Sequence, residues 1–138
     1  MDSPRKVDKE RLLQNFDELV NAARASRTRA YAPYSNYAVG AAILGSDGKI
    51  YTGCNVENAS YGLTICAERN AIASMVAAGC TTIESVAVST KDGGTPCGAC
   101  RQVLAEFAQA NVKVACASDS DVQHFTVAEL LPSSFKLQ

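Results

Sequence analysis

A chain of 138 residues, 47 % of them hydrophobic, has the size and apolar content for one packed core, so residues 1–138 read as a single domain. Its net charge of −1 and pI near 5.8 exclude the basic footprint with which a protein neutralises a polyanion, and nucleic acid is not expected as a partner. Residues 1–11 are polar and charged, and no run of about eighteen apolar residues occurs; neither a secretory signal nor a membrane span is expected, and the chain reads as cytoplasmic.

The first element is a helix, because Leu12, Phe16, Leu19 and Ala23 recur at i, i+4, i+7 and i+11, with Leu13 and Val20 widening the stripe. Between residues 26 and 36 the pattern dissolves into Arg, Thr, Ala and Pro33, and an apolar run follows over 38–44. Gly45-Ser46-Asp47-Gly48 carries turn chemistry and residues 49–54 resume with β-compatible types, which predicts an antiparallel hairpin. Residues 66–78 are alanine-rich with Ile72, Met75 and Val76 on one side, a second helix ending near Gly79. A buried strand at 86–90, a loop at 91–96, a third helix at 98–109 with Val103, Leu104 and Phe107 inward, and a strand at 112–117 come next. Strand, helix and strand so closely spaced imply parallel pairing through a crossover. A strand at 123–126 and a helical turn at 127–131 close the chain. The expected architecture is α/β, a three-layer α/β/α sandwich on a five-stranded mixed sheet with helices on both faces.

Six cysteines, at positions 54, 66, 80, 97, 100 and 116, read as reduced thiols or metal ligands in a chain without a secretory signal. Cys54, Cys80 and Cys116 lie among apolar or small residues, where free thiols pack. The other three fall in Cys66-Ala67-Glu68 and Pro96-Cys97-Gly98-Ala99-Cys100, each at the start of a predicted helix, where unpaired N–H groups and the dipole favour thiolates. Cys97 and Cys100 share a helix face; Cys66 and Glu68, two apart, do not, which places Cys66 at the cap and Glu68 in the first turn. A catalytic zinc uses three protein ligands and keeps the fourth position for water, whereas a structural zinc uses four. Cys54, Cys80 and Cys116 stand as possible fourth ligands, while the only histidine, His124, is expected in an edge strand far along the chain. A CxxC redox pair is the other alternative, but it usually follows the first strand of a thioredoxin-like unit, which the expected topology lacks. Glu68 suits a proton carrier beside metal-activated water, and its plain alternative is a solvated first-turn glutamate.

The blocks Tyr34-Ser35-Asn36-Tyr37, Gly53-Cys54-Asn55-Val56-Glu57-Asn58-Ala59-Ser60-Tyr61, Cys66-Ala67-Glu68-Arg69, Pro96-Cys97-Gly98-Ala99-Cys100-Arg101-Gln102 and Glu129-Leu130-Leu131-Pro132 together resemble the small homotetrameric cytidine deaminases over nearly the whole chain. These belong to the zinc nucleobase deaminases, in the variant with three cysteine ligands. The resemblance implies a hydrolase of pyrimidine salvage with one zinc per chain on Cys66, Cys97 and Cys100. Water activated by zinc would attack C4 of cytidine or 2′-deoxycytidine while Glu68 shuttles protons, giving uridine or 2′-deoxyuridine and ammonia. It further implies Asn55 and Glu57 at the ribose hydroxyls, Tyr37 against the base, Ala67 at the substrate and Pro96 beside the amino-group pocket. Three thiolates on one Zn²⁺ leave the site at −1, and Arg69 would draw charge from the ligand sulfurs. Ala59, Tyr61 and Phe135 match positions that reach a neighbouring subunit's pocket, so a homotetramer with composite active sites is expected. Blasticidin-S-type deaminases share the Cys-Ala-Glu and Pro-Cys-x-x-Cys blocks, but residues 55–61 are closer to the cytidine enzymes. A non-catalytic zinc-stabilised module would need no Glu68.

Overall fold

In the computed structural model, which describes residues 4–137 and side chains from Phe16 onward, helix α1 spans Pro4–Arg27. Leu19, Val20 and Ala23 are buried against the sheet with Phe16 packed beside them; the inward placing expected of Leu12 and Leu13 lies outside the described residues. Strands β1 (Gly40–Gly45), β2 (Ile50–Cys54), β3 (Ile83–Ser89), β4 (Ala108–Ala117) and β5 (Val122–Thr126) form one five-stranded sheet in the order β2-β1-β3-β4-β5. Only β3 and β4 run parallel, so the sheet is mixed. The hairpin pairs Gly40 with Cys54 and Leu44 with Ile50.

Helices α2 (Ala67–Ala77), α3 (Gly98–Phe107) and α4 (Val127–Leu130) complete the fold. The sheet separates two apolar clusters. One joins Ala41, Ile43, Val86, Val88 and Val114 to Ile72, Met75 and Leu104; the other joins Ala42, Ala87 and Ala115 to α1. Ile43, Met75, Val86 and Val114 are all 0 % exposed, each worth about 1.5–3 kcal/mol of transfer free energy. Gly79, at φ 95°, ends α2 in the left-handed conformation that a side chain resists.

Two glycines set how closely the layers approach. A methyl on Gly40 would lie 2.0 Å from the Ala23 carbonyl oxygen, and one on Gly53 2.5 Å from both the Ala67 carbonyl oxygen and the Ala71 nitrogen. Helix α2 therefore rests backbone to backbone on β2, and the Asn70 amide adds a 2.9 Å hydrogen bond to the Cys54 carbonyl. The start of α2 is thereby held beside the segment that follows β2.

Several boundaries differ from expectation, and α3 ends at Phe107 rather than 109. Strand β3 begins at Ile83 rather than 86, and β4 begins at Ala108 rather than 112, directly on the end of α3. Ala108 already has extended dihedrals of −121° and 139° and pairs with Ile83; the register then slips before Ser85 meets Lys113, which leaves residues 109–111 exposed. Strand β1 begins at Gly40 rather than 38, since the Ala38 carbonyl is taken by Arg27 Nε at 3.2 Å and the Val39 N–H by the Asn55 side chain at 2.9 Å.

Candidate active site

Cys66 and Cys97 are the N-cap residues of α2 and α3, and neither side chain caps its own helix. Their sulfurs are thus free to ligate while the first-turn N–H groups and the dipoles of two helices favour negative charge on them. The sulfurs of Cys66, Cys97 and Cys100 all lie within 4.8 Å of one another, with Cys66 and Cys97 4.0 Å apart. Thiolates at the usual Zn–S distance of about 2.3 Å in a tetrahedron are about 3.8 Å apart. The donor set therefore fits one zinc ion, and the three cysteines are positioned to hold it. Cys54, Cys80, Cys116 and His124 are not members of this group, so none of the four serves as a fourth ligand here.

The ligands differ in setting: Cys97 is exposed, Cys66 half-buried and Cys100 fully buried. A hydrogen bond from Cys100, and after it the Arg69 guanidinium, lowers the Cys66 thiol to about 5. Arg69 Nη2 donates to Cys66 Sγ at 3.4 Å.

Glu68, in the first turn of α2, is only 4 % exposed. Burial raises its carboxyl above the usual carboxylate range, and the charge on Cys66 pushes the same way. A carboxyl so placed holds a proton more readily than a solvated one. Ala67, between Cys66 and Glu68, is 0 % exposed at the first position of the helix.

Asn55 and Glu57 both close on the 34–39 segment. Asn55 Nδ2 donates to the Tyr37 carbonyl at 2.8 Å while its Oδ1 accepts from Val39 N, which leaves one amide hydrogen and one lone pair for a ligand. Glu57 Oε1 accepts from Tyr34 N at 2.9 Å and Ser35 N at 3.2 Å, and Oε2 accepts from the Ser35 hydroxyl; these bonds hold its carboxyl below the usual range. Single bridges from Val56 to Tyr31 and to Ile65 tie this segment to the approach to Cys66. The Tyr37 hydroxyl donates to Asp92 Oδ1 at 2.6 Å. Pro96 is buried ahead of Cys97, whereas Ala59 is exposed and Tyr61 and Phe135 are 77 % and 70 % exposed.

Arg101 carries a task that no sequence argument assigned. Its Nε donates to the Pro96 carbonyl at 2.6 Å, Nη1 to the Leu130 carbonyl at 2.7 Å and Nη2 to Thr95 Oγ1 at 2.7 Å. The loop ahead of Cys97 is thus braced against α4. The signal available was an arginine one helical turn after Cys97; its targets are only visible in three dimensions.

Residues 13–116 match the family described as the cytidine and deoxycytidylate deaminase zinc-binding region. The chain is 48 % identical over 120 residues to the cytidine deaminase of Halalkalibacterium halodurans, covering 85 % of this chain and 91 % of the relative. It is 43 % identical over 124 residues to the cytidine deaminase of Sporosarcina psychrophila, covering 88 % and 91 %. Its fold superposes on the crystal structure of cytidine deaminase from Burkholderia pseudomallei with a TM-score of 0.82 at 47 % identity, over 86 % of this chain and 98 % of the other.

Proposed function

The chain belongs to the cytidine and deoxycytidylate deaminase family, and from that premise we propose that it catalyses the zinc-dependent hydrolytic deamination of cytidine and 2′-deoxycytidine to uridine and 2′-deoxyuridine with release of ammonia. The observation that carries the reading is the grouping of Cys66, Cys97 and Cys100 at two helix starts with the buried carboxyl of Glu68 in the first turn beside them. Zinc bound by the three thiolates supplies the Lewis acidity that makes a water molecule nucleophilic near neutral pH.

Glu68 moves the protons. Its carboxylate takes one from the water that adds at C4 and gives it to N3 of the pyrimidine. It then takes the remaining proton of the new C4 hydroxyl and passes it to the amino group, which departs as ammonia while the C4 carbonyl forms. Its raised pKa suits a group that must be both base and acid in one cycle. Asn55 and Glu57 hold the sugar hydroxyls through the capacity their contacts to the 34–39 segment leave over, and Tyr37 lies against the base. Ala67 meets the substrate at the start of α2.

Arg69 moderates the charge of the thiolate set through its hydrogen bond to Cys66. Replacing it by alanine is expected to lower kcat about tenfold, the lower end of the usual cost of losing an outer-shell partner, with a smaller loss of zinc affinity. Unchanged turnover and zinc affinity in Arg69→Ala would rule that role out.

The exposed side chains of Ala59, Tyr61 and Phe135 are read as contributions to a neighbouring subunit's pocket in a homotetramer. Aromatic surfaces 77 % and 70 % exposed are what such a role needs in one protomer. Among the described residues no helix is long and apolar enough to cross a membrane; three reduced ligand thiols are consistent with the cytoplasm, and nucleic acid is not proposed as a partner.

The test is zinc content per chain together with the fall in ultraviolet absorbance on adding cytidine. One zinc per chain and conversion to uridine are expected. One zinc without reaction on cytidine or 2′-deoxycytidine would turn the reading to blasticidin-S-type substrates or a non-catalytic module, and absence of zinc would overturn it.

A further inference from the structure

Asp92 lies in the loop between β3 and α3, five positions before Cys97. Its Oδ1 gathers three donors: the Tyr37 hydroxyl at 2.6 Å, Thr90 Oγ1 at 3.2 Å and the Gly94 N–H at 3.2 Å. Thr90, 3 % exposed, in turn accepts from Gly93 N at 2.8 Å and Gly94 N at 2.9 Å, which fixes the loop's shape from inside. Asp92 also bridges Ser118 beyond the end of β4. The fit is close, since a methyl on Gly94 would come within 2.8 Å of the Tyr37 hydroxyl.

Tyr37 is held equally firmly on its other side. Its carbonyl receives Asn55 Nδ2, and its N–H donates to Ser35 Oγ at 3.0 Å, which itself donates to Glu57. A continuous chain of hydrogen bonds thus runs from the loop that presents Cys97, through Asp92 and Tyr37, to Asn55 and Glu57. Lys91 Nζ stands over the Tyr37 ring, 5.6 Å from its centre, so one face of that ring is covered.

We propose that Asp92 is a positioning residue for substrate binding: by accepting the Tyr37 hydroxyl it latches the 34–39 wall of the nucleoside pocket to the loop that carries Cys97, and so fixes the spacing between the sugar and base contacts and the reacting centre. The inference rests on the deaminase reading of Tyr37, Asn55, Glu57 and Cys97. It makes the Tyr37 hydroxyl a tether and its ring a pocket wall. Loss of the tether frees the wall, so the cost falls on ligand affinity before it falls on the chemical step.

The experiment compares Asp92→Ala, Asp92→Asn, Tyr37→Phe and the double variant Asp92→Ala/Tyr37→Phe in zinc-loaded full-length enzyme, reading KM for cytidine, calorimetric Kd for uridine and zinc per chain. Asp92→Ala and Tyr37→Phe are each expected to raise KM and the uridine Kd about fivefold, an effect scaled to one charge-assisted hydrogen bond near the surface. The double variant should be no weaker than either single one, because both remove the same bond. Asp92→Asn, which keeps an acceptor oxygen, should stay within about twofold of wild type. Zinc per chain should not change in any of them. Unchanged KM and Kd in Asp92→Ala, or effects that multiply in the double variant, would overturn the latch. Wild-type protein that binds zinc but leaves cytidine intact would overturn the deaminase reading, and the latch with it.

Discussion

Glu68→Gln is expected to retain one zinc per chain and the wild-type melting temperature while kcat on cytidine falls by about 10³. The glutamine side chain has nearly the shape of the glutamic acid it replaces and keeps hydrogen-bonding capacity in a site only 4 % exposed, so packing at the start of α2 is preserved. What disappears is the ability to take up and release a proton. Positioned general acid–base groups contribute about 10²–10⁴ in rate, and the role proposed for Glu68, serving the water, N3 and the leaving amino group in turn, places the expected loss near the middle to top of that range. KM should move far less than kcat, because the interaction lost is one that develops along the reaction coordinate. The measurement is the ultraviolet decay of cytidine with zinc determined on the same sample. A variant that keeps a tenth or more of wild-type kcat would show that another group carries the protons.

Cys66, Glu68, Cys97 and Cys100 were legible as a candidate site because a metal site limits donor chemistry and spacing, and helix starts add their own electrostatic preference. The periodicities were equally plain: Phe16, Leu19 and Ala23 repeat at the interval of one helix face, and the hairpin turn is written in Gly45-Ser46-Asp47-Gly48. The start of β4 was not legible. Residues 108–111 carry no strand-like alternation, and Ala108 becomes extended because Ile83 of the neighbouring strand offers it a partner. That is a tertiary effect overriding a local one.

The finer structure of the site was hidden for a related reason. Asn55 and Glu57 could be read only as polar residues after a strand; that both embrace residues 34–39 depends on the segment folding back from Tyr31 onto Val56. The Tyr37 hydroxyl needed a partner, yet nothing local pointed to Asp92, which lies far along the chain on a different loop. Arg101 belonged to a recognisable block, but its three acceptors come from the loop before it and from α4. Short-range chemistry is written in spacing, whereas the hydrogen bonds that align it join segments whose proximity only the fold creates.

Cys100→Ala is expected to bring zinc below about a tenth per chain and to abolish deamination, while Cys116→Ala keeps both. The pair isolates ligation from packing, since both thiols are buried, at 0 % and 1 % exposure. Cys116 belongs to the core cluster beside Val88 and Val114, and burial raises its thiol to about 11, so it stays protonated and apolar in character. Removing its sulfur should cost about 1 kcal/mol of packing and cavity energy and nothing else. Cys100 shares its surroundings with the sulfurs of Cys66 and Cys97, and two remaining thiolates are a poor substitute for three around a tetrahedral ion. Because a ligand that binds only the folded chain adds to stability, wild type and Cys116→Ala should each melt several degrees lower after chelation. The melting temperature of Cys100→Ala should be insensitive to the chelator, as there is no bound metal to withdraw. Metal analysis, the cytidine assay and paired melts with and without chelator read all three quantities. Full zinc occupancy in Cys100→Ala would remove it from the ligand set, and zinc loss in Cys116→Ala would show that the group of donors has been drawn too narrowly.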